Sequence, residues 1–172
     1  MKKQVGDSAK TLATSSDYDN FVDNKDISII GFFPSKSGSL YKAFLEAADQ
    51  NRDEFRFGLV TDRSIMDEKK FGEGVVVIKP FEDKAAAVFA GKENANEISS
   101  FIYANSVAFM GELTKGNEAR YKKLNKPIVK TYFDVDWKSN LKRTNYYINR
   151  LKKAIDAVPG LKDKVSFAVV RK

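Results

Sequence analysis

Residues 27–33, ISIIGFF, form a nearly continuous apolar run, and this run restricts the fold more than any other part of the sequence. It predicts a β-strand that is buried on both faces, and sheets built from such strands are covered by helices on both sides. Strands are also predicted at Arg56–Val60, Gly74–Ile78 and Ala86–Ala90, with a small strand near Lys10–Ala13 in front of them.

Amphipathic segments predict helices between and after these strands. In chain order they are a helix capped by Ser16 over Asp17–Asn24, a helix after Ser39 with Leu40, Phe44 and Ala48 on one stripe, a short helix at Ser64–Lys70, and a last helix with Ile98, Phe101 and Ile102 inward. An acidic turn, Glu82–Asp83, joins the last two strands. The order indicates an α/β fold with a mixed sheet flanked by helices, as in thioredoxin-like domains.

The pattern restarts after Val107. Ile128–Phe133 (IVKTYF) repeats the role of SIIGFF about one hundred residues later. The other predicted elements are a strand at Met110–Thr114, a helix at Asn117–Leu124, a helix with Tyr147, Leu151, Ile155 and Val158 inward, and a strand at Val165–Val170. We therefore expect one complete domain at 1–107 and the N-terminal part of a second at 108–172, cut short after its third strand.

Two absences exclude most enzyme classes. The chain has no cysteine, so it has no dithiol or thiolate chemistry, and no histidine, the usual general base at neutral pH. The sequence therefore predicts no catalytic residue, no cofactor and no thioredoxin-like reductase or transferase activity. Asp134 and Asp136, with Asn140 nearby, are too few for a calcium site, and turn roles are expected for both carboxylates. No apolar run approaches the roughly 20 residues that span a bilayer.

The turn between the apolar strand and the next helix is where redox-active thioredoxins carry a CxxC pair. Here the segment from Ser35 to Ser39 offers only hydroxyls and one lysine. Serine hydroxyls do not exchange disulfides, so Ser37 and Ser39 are predicted to be helix caps.

Charge is distributed unevenly. Residues 108–172 contain 16 Lys and Arg against 6 Asp and Glu, whereas residues 1–107 contain 14 against 17. A basic half indicates an anionic partner, either an acidic protein or a nucleic acid. Aromatic residues among the cations (Tyr132, Trp137, Tyr146 and Tyr147) suit single-stranded nucleic acid. Against that alternative, Tyr132 is expected in a buried strand and Tyr147 in the core.

Several stretches resemble the non-catalytic b and b′ domains of the protein disulfide isomerase family. They are NKDISIIGFF, AADQNRDEFRFG, GEGVVV, YFDVDWKSNLKRTNYYINR and VSFAVVRK. The resemblance extends from Lys2 to Lys172 and is greatest to members that assist glycoprotein folding with calnexin and calreticulin in the endoplasmic reticulum. It implies a parent of order a-b-b′-a′ with CxxC sites in the outer domains, a luminal location, and a scaffold role for this piece.

The resemblance also implies a binding surface. In this family the b′ domain binds the acidic arm of calnexin or calreticulin, and the matching positions are Lys142, placed in the loop before the last helix, and Arg150, placed in its second turn. Arg150 and Lys153 are expected on the exposed flank of that helix, and Arg143 is expected beside Lys142 in the preceding loop. A third basic contact of the family falls near the segment IKPFEDK. Neither Lys79 nor Lys84 matches that position cleanly, and Lys79 is named as a candidate. The alternative is a solvated charged face. Glycoprotein clients are a further possible partner.

The second half also predicts self-association. Strand 128–133 would normally be central in the sheet, and without a fourth strand it becomes an apolar edge that recruits other chains. A dimer, a domain swap through this strand, or a disordered second half is expected.

Overall fold

The structure is a computed structural model that describes residues 7–23, 26–81 and 86–172. The chain divides into two compact units, Met1–Ser106 and Val107–Lys172. Within the described ranges, no helix is both long enough and apolar enough to cross a membrane.

The described part of unit 1 alternates helices and strands before a final hairpin and helix. Its elements are β1 (Lys10–Thr11), α1 (Ser15–Val22), β2 (Ser28–Phe32), α2 (Ser39–Asn51), β3 (Arg56–Val60), α3 (Arg63–Lys69), β4 (Gly74–Ile78), β5 (Ala86–Val88) and α4 (Ala95–Ala104). The sheet order is β1-β3-β2-β4-β5. β1 and β2 pair with β3 in parallel, whereas β4 is antiparallel to both β2 and β5. The predicted helix-flanked mixed sheet is confirmed.

β2 is the centre of this unit, and every one of its residues is buried. Ile30 and Phe32 pack on one face with side chains of α1 and α3. On the other face Gly31 lies under α2, where an added methyl group would come within 2.8 Å of the ring of Phe44. A fully buried apolar side chain contributes roughly 1.5–3 kcal/mol. The ISIIGFF run therefore supplies the core on both sides of the sheet.

Unit 2 repeats the first part of this plan. Its elements are β6 (Gly111–Glu112), α5 (Glu118–Lys123), β7 (Ile128–Phe133), α6 (Leu141–Asp156), α7 (Leu161–Lys164) and β8 (Ser166–Arg171). The sheet order is β6-β8-β7, with all pairs parallel. Ile148 and Ile155 of α6 pack with Phe167 and Val169 of β8 in the core of this unit.

The strand register shows that the two units are structural repeats. β2 starts opposite the first residue of β3, and β7 starts opposite the first residue of β8 (Ile128 opposite Ser166). β1 pairs with β3 from the third residue of β3 onward (Lys10 opposite Gly58). In the same way, β6 pairs with β8 from the third residue of β8 onward (Gly111 opposite Ala168). β6, β7 and β8 thus correspond to β1, β2 and β3. β2 is flanked by β4 on its other side, whereas β7 pairs only with β8 among the described residues.

Several expected helix details are wrong. α1 starts at Ser15 and is capped by Thr14, not Ser16, because Thr14 and Asp17 form a capping box with N–H to oxygen distances of 3.1 and 3.0 Å. Neither Ser37 nor Ser39 caps α2: the N-cap is Gly38, at φ +103°, without a side-chain hydrogen bond. The predicted end of α1 at Asn24 and the turn at Glu82–Asp83 lie outside the described residues.

The inward face of α6 also differs from the prediction. Its buried residues are Thr144, Ile148 and Ile155, with Leu151 half-buried, whereas Val158 is 50% exposed. The helix ends at Asp156, so Val158 lies beyond it. In β7, Tyr132 is 61% exposed and not buried as expected. Its counterpart Phe32 packs with Ile65 and Met66 of α3, and among the described elements of unit 2 no helix follows β8 as α3 follows β3.

Candidate functional site

The strand-to-helix junction of unit 1 holds no reactive group. The Ser35 and Ser37 hydroxyls share a hydrogen bond of 2.7 Å. The Ser39 hydroxyl donates to the carboxylate of Glu93, which places a negative charge at the N-terminus of α2. A helix N-terminus favours a negative charge, and it lowers the pKa of a thiol that is placed there. In this chain the group near the helix N-terminus is a carboxylate and not a thiolate.

The loop before α6 is held by Asp136. Its Oδ1 accepts hydrogen bonds from the backbone N–H groups of Ser139 at 2.7 Å and Lys138 at 2.9 Å. These bonds, the one from Ser139 first, hold the pKa of Asp136 below its ordinary value. The expected turn role is therefore confirmed for Asp136. Within the described residues, no group of three or more acidic side chains is arranged to hold a metal ion.

α6 begins at the end of this loop. Asn140 is its N-cap, and the Asn140 side-chain oxygen accepts from the Arg143 N–H at 3.2 Å. The helix starts at Leu141, so Lys142 and Arg143 lie in its first turn and not in the preceding loop as expected. Arg150, the tenth helical residue, lies in the third turn and not the second. The longer helix brings the basic positions onto one rigid element.

Four predicted basic residues lie on one side of α6. At about 100° per residue they project away from the buried stripe of Thr144, Ile148 and Ile155. We call this surface the cationic face, and it consists of the exposed residues Lys142, Arg143, Arg150 and Lys153. Cations in the first turn are disfavoured by the helix dipole. Helix stability therefore does not account for Lys142 and Arg143.

Lys79, the fifth predicted residue, belongs to the other unit. It follows the last residue of β4 and is half-buried. Lys84, the other basic residue considered there, lies outside the described residues.

Aromatic side chains contact both arginines of the cationic face. Arg150 Nη1 donates to the Tyr146 hydroxyl at 2.9 Å, and its guanidinium carbon lies 5.6 Å from the Tyr146 ring centroid. The Arg143 guanidinium carbon lies 5.9 Å from the Tyr147 ring centroid. Arg143 also lies 3.9 Å from Asp134 Oδ2, an exposed pair worth about 0–1 kcal/mol.

Tyr146 and Asp134 were not predicted from the sequence to belong to this site. The spacing of Tyr146 and Arg150, four residues apart on a helix, indicates such a contact in principle. The contact of Asp134 with Arg143 depends on the loop geometry and has no comparable sequence signal. Trp137, considered as a surface contact, packs against the core of unit 2, and its indole nitrogen is buried.

Comparison with known proteins gives consistent matches. The family model described as a thioredoxin-like domain matches residues 33–172. Protein disulfide-isomerase A3 of Gallus gallus is 33% identical over 180 residues, an alignment that covers 98% of this chain and 34% of that protein. Probable protein disulfide-isomerase A4 of Caenorhabditis elegans is 29% identical and is covered to 28% of its length. The chain thus spans about a third of these curated relatives.

Among solved structures, the bb fragment of ERp72 has the same fold. It matches with a TM-score of 0.72 at 21% identity, over 96% of this chain and 75% of that one. The expected resemblance to protein disulfide isomerases is confirmed by the curated relatives. The chain itself contains no cysteine and therefore no CxxC pair.

Proposed function

We propose that this chain, which belongs to the thioredoxin-like domain family and has protein disulfide-isomerases as relatives, is a non-catalytic scaffold and partner-binding segment of such an isomerase. Residues 1–107 correspond in this proposal to a b domain and residues 108–172 to part of a b′ domain. The enzyme chemistry belongs to other domains of the relatives, because this chain lacks the thiols that disulfide exchange requires.

The partner in this proposal is the acidic arm of calnexin or calreticulin, recruited to support oxidative folding of glycoproteins in the lumen of the endoplasmic reticulum. The observation that carries it is the cationic face of α6, where Lys142, Arg143, Arg150 and Lys153 project from one side of a single helix. Arginine and lysine bind carboxylates through charge-assisted hydrogen bonds, and complementary charge accelerates encounter. Glycoprotein clients reach the isomerase through that lectin partner.

Titration calorimetry with the recombinant acidic arm of calreticulin tests this function. Lys142→Glu and Arg150→Glu each place a negative charge against an acidic ligand, so each should weaken binding at least about tenfold. Lys126→Glu is the matched control. Lys126 is an exposed lysine that lies before β7 and outside α6, and its substitution by glutamate changes the charge by the same amount. Equal affinity of all four proteins for the arm would contradict the proposal.

A nucleic acid is the second candidate ligand. The specific observation in its favour is that Tyr132 is 61% exposed and Tyr146 is 55% exposed in the basic unit, so both rings are accessible for stacking. Filter binding of a single-stranded oligonucleotide at low salt tests it. Retention that Tyr132→Ala and Tyr146→Ala abolish would support this ligand, and background retention would exclude it.

A further inference from the structure

Arg150 is held by a tyrosine one helical turn before it. The Tyr146 hydroxyl accepts from Arg150 Nη1 at 2.9 Å, and the Tyr146 ring lies under the guanidinium, 5.6 Å from its carbon. These two contacts restrict the end of a long side chain that is otherwise exposed. Immobilising a flexible side chain on binding costs about 0.5–1.5 kcal/mol, and a side chain that is already ordered avoids much of that cost.

A series of ring contacts connects this tyrosine to the core of unit 2. The Tyr146 and Tyr147 rings meet edge to face, with centroids 5.5 Å apart. The Tyr147 ring stacks on Phe133 with a centroid distance of 5.6 Å and an interplanar angle of 16°. Phe133 in turn packs against the core that contains Ile148 and Phe167. The support for Arg150 is therefore fixed to the interior of the unit.

Arg143 also contacts this series of rings, because its guanidinium carbon lies 5.9 Å from the Tyr147 ring centroid. Arg143 and Arg150 are seven residues apart and project from neighbouring positions of α6. In the described structure, the ammonium groups of Lys142 and Lys153 contact no aromatic ring and form no hydrogen bond. The two arginines are thus the cations of the cationic face that contact aromatic rings.

We propose that Tyr146 is a positioning residue, which orders Arg150 so that the cationic face presents a fixed guanidinium to paired carboxylates of an acidic polypeptide. The consequence for binding rests on the proposed function. A fixed guanidinium forms two parallel hydrogen bonds with a carboxylate, a geometry that an ammonium does not reproduce. Arg150→Lys therefore weakens binding although it keeps the charge.

The ordering itself is measured without any ligand. Relaxation of the Arg150 side-chain Nε–H group by NMR should show slower motion in the natural chain than in Tyr146→Leu, with Tyr146→Phe between them because it retains the ring and loses the acceptor. Tyr132→Phe and Tyr132→Leu are the matched controls, since Tyr132 is a similarly exposed tyrosine of the same unit, at 61% against 55% for Tyr146. Equal Arg150 mobility in the natural chain and in Tyr146→Leu would overturn the positioning role.

Binding is then measured by calorimetry with the recombinant acidic arm of calreticulin at several salt concentrations. Tyr146→Phe should weaken binding by about twofold to tenfold, the value of one hydrogen bond. The slope of log K against log salt should stay unchanged, because no charge is removed, whereas Arg150→Gln should reduce that slope. A Tyr146→Phe affinity equal to that of the natural chain would overturn the consequence for binding.

The two measurements separate the two proposals. If the natural chain does not bind the acidic arm, the proposed function fails, and the NMR comparison still decides whether Tyr146 orders Arg150. Near-identical thermal unfolding and Trp137 fluorescence of all variants verify that unit 2 remains folded, since Trp137 packs in its core and is the sole tryptophan.

Discussion

The hydroxyl of Thr144 makes hydrogen bonds with both backbone groups of Asp136. It accepts from the Asp136 N–H at 2.9 Å and donates to the Asp136 carbonyl at 3.1 Å. Thr144 is 1% exposed and lies in the first turn of α6. The loop before α6 is therefore attached to the helix that carries the cationic face.

Replacing Thr144 by valine should destabilise unit 2 by about 1–3 kcal/mol. Valine has nearly the same shape but leaves the N–H and the carbonyl of Asp136 without their partner. Urea unfolding followed by Trp137 fluorescence measures this change in the unit that contains both residues. Thr144→Ser keeps the hydroxyl and serves as the control; equal destabilisation by both substitutions would show that the hydrogen bonds are not the cause.

The stability of unit 2 should decrease in acid because of Asp136. Its pKa in the folded chain is lowered, first by the hydrogen bond from the Ser139 N–H and then by that from Lys138. A lowered folded-state pKa means that the stabilisation is complete above the unfolded pKa, about 4, and is lost as pH falls through the folded-state value. The free energy of unfolding, followed by Trp137 fluorescence, should therefore fall between about pH 5 and pH 3.

Asp136→Asn is the control for this pH dependence, because an amide does not titrate in this range. Its unfolding free energy should vary less with pH than that of the natural chain. A pH profile parallel to that of the natural chain would assign the acid sensitivity to other carboxylates.

Removing the charge of Asp134 should strengthen binding of an acidic ligand. Arg143 Nη1 lies 3.9 Å from Asp134 Oδ2, so in the proposed complex this carboxylate would compete with those of the ligand for the same guanidinium. Because both side chains are more than half exposed, the gain for Asp134→Asn is limited to about fivefold. Calorimetry with the acidic arm measures it, with Asp163→Asn on α7 as a control of equal charge change. An equal gain for both variants would indicate a general effect of net charge.

The edge of β7 that does not face β8 predicts that copies of the chain associate with each other. Val129 is 43% exposed in this strand, which pairs only with β8 among the described residues. Sedimentation velocity should show reversible dimers at high concentration, and Val129→Lys should shift them to monomers. Val158→Lys is the control, because Val158 is 50% exposed outside the sheet. A natural chain that is monomeric at every concentration would contradict this prediction.

Strands were predictable where an apolar run ends abruptly. The bounds of β3, β4 and β7 agree with the sequence prediction residue for residue, because Gly and Pro, or a change to charged residues, stop each run. The N-cap of α1 could also have been predicted, since Asp17 lies three residues after Thr14 and completes a capping box. The three adjacent hydroxyl residues Thr14, Ser15 and Ser16 made the choice ambiguous without that criterion.

The parts that could not be predicted depend on contacts between distant residues. Ser39 and Glu93 are 54 positions apart, so the sequence gives no sign of their hydrogen bond. The inward face of α6 was misjudged because Tyr147 was treated as a core residue, whereas its ring stacks on Phe133 and the polar Thr144 is buried. The basic residues of the site could be predicted from the sequence, but the contact of Tyr146 with Arg150 is visible only in the side-chain geometry.

NMR mapping decides whether the cationic face of α6 is the surface that binds the acidic arm. Backbone amide signals are recorded while the recombinant acidic arm of calreticulin is added. Shifts should concentrate between Leu141 and Lys153, with the Arg143 and Arg150 side-chain signals among the largest, and they should diminish as salt is raised. Shifts confined to unit 1 or to β7, or no shifts at saturating arm, would contradict binding at this face.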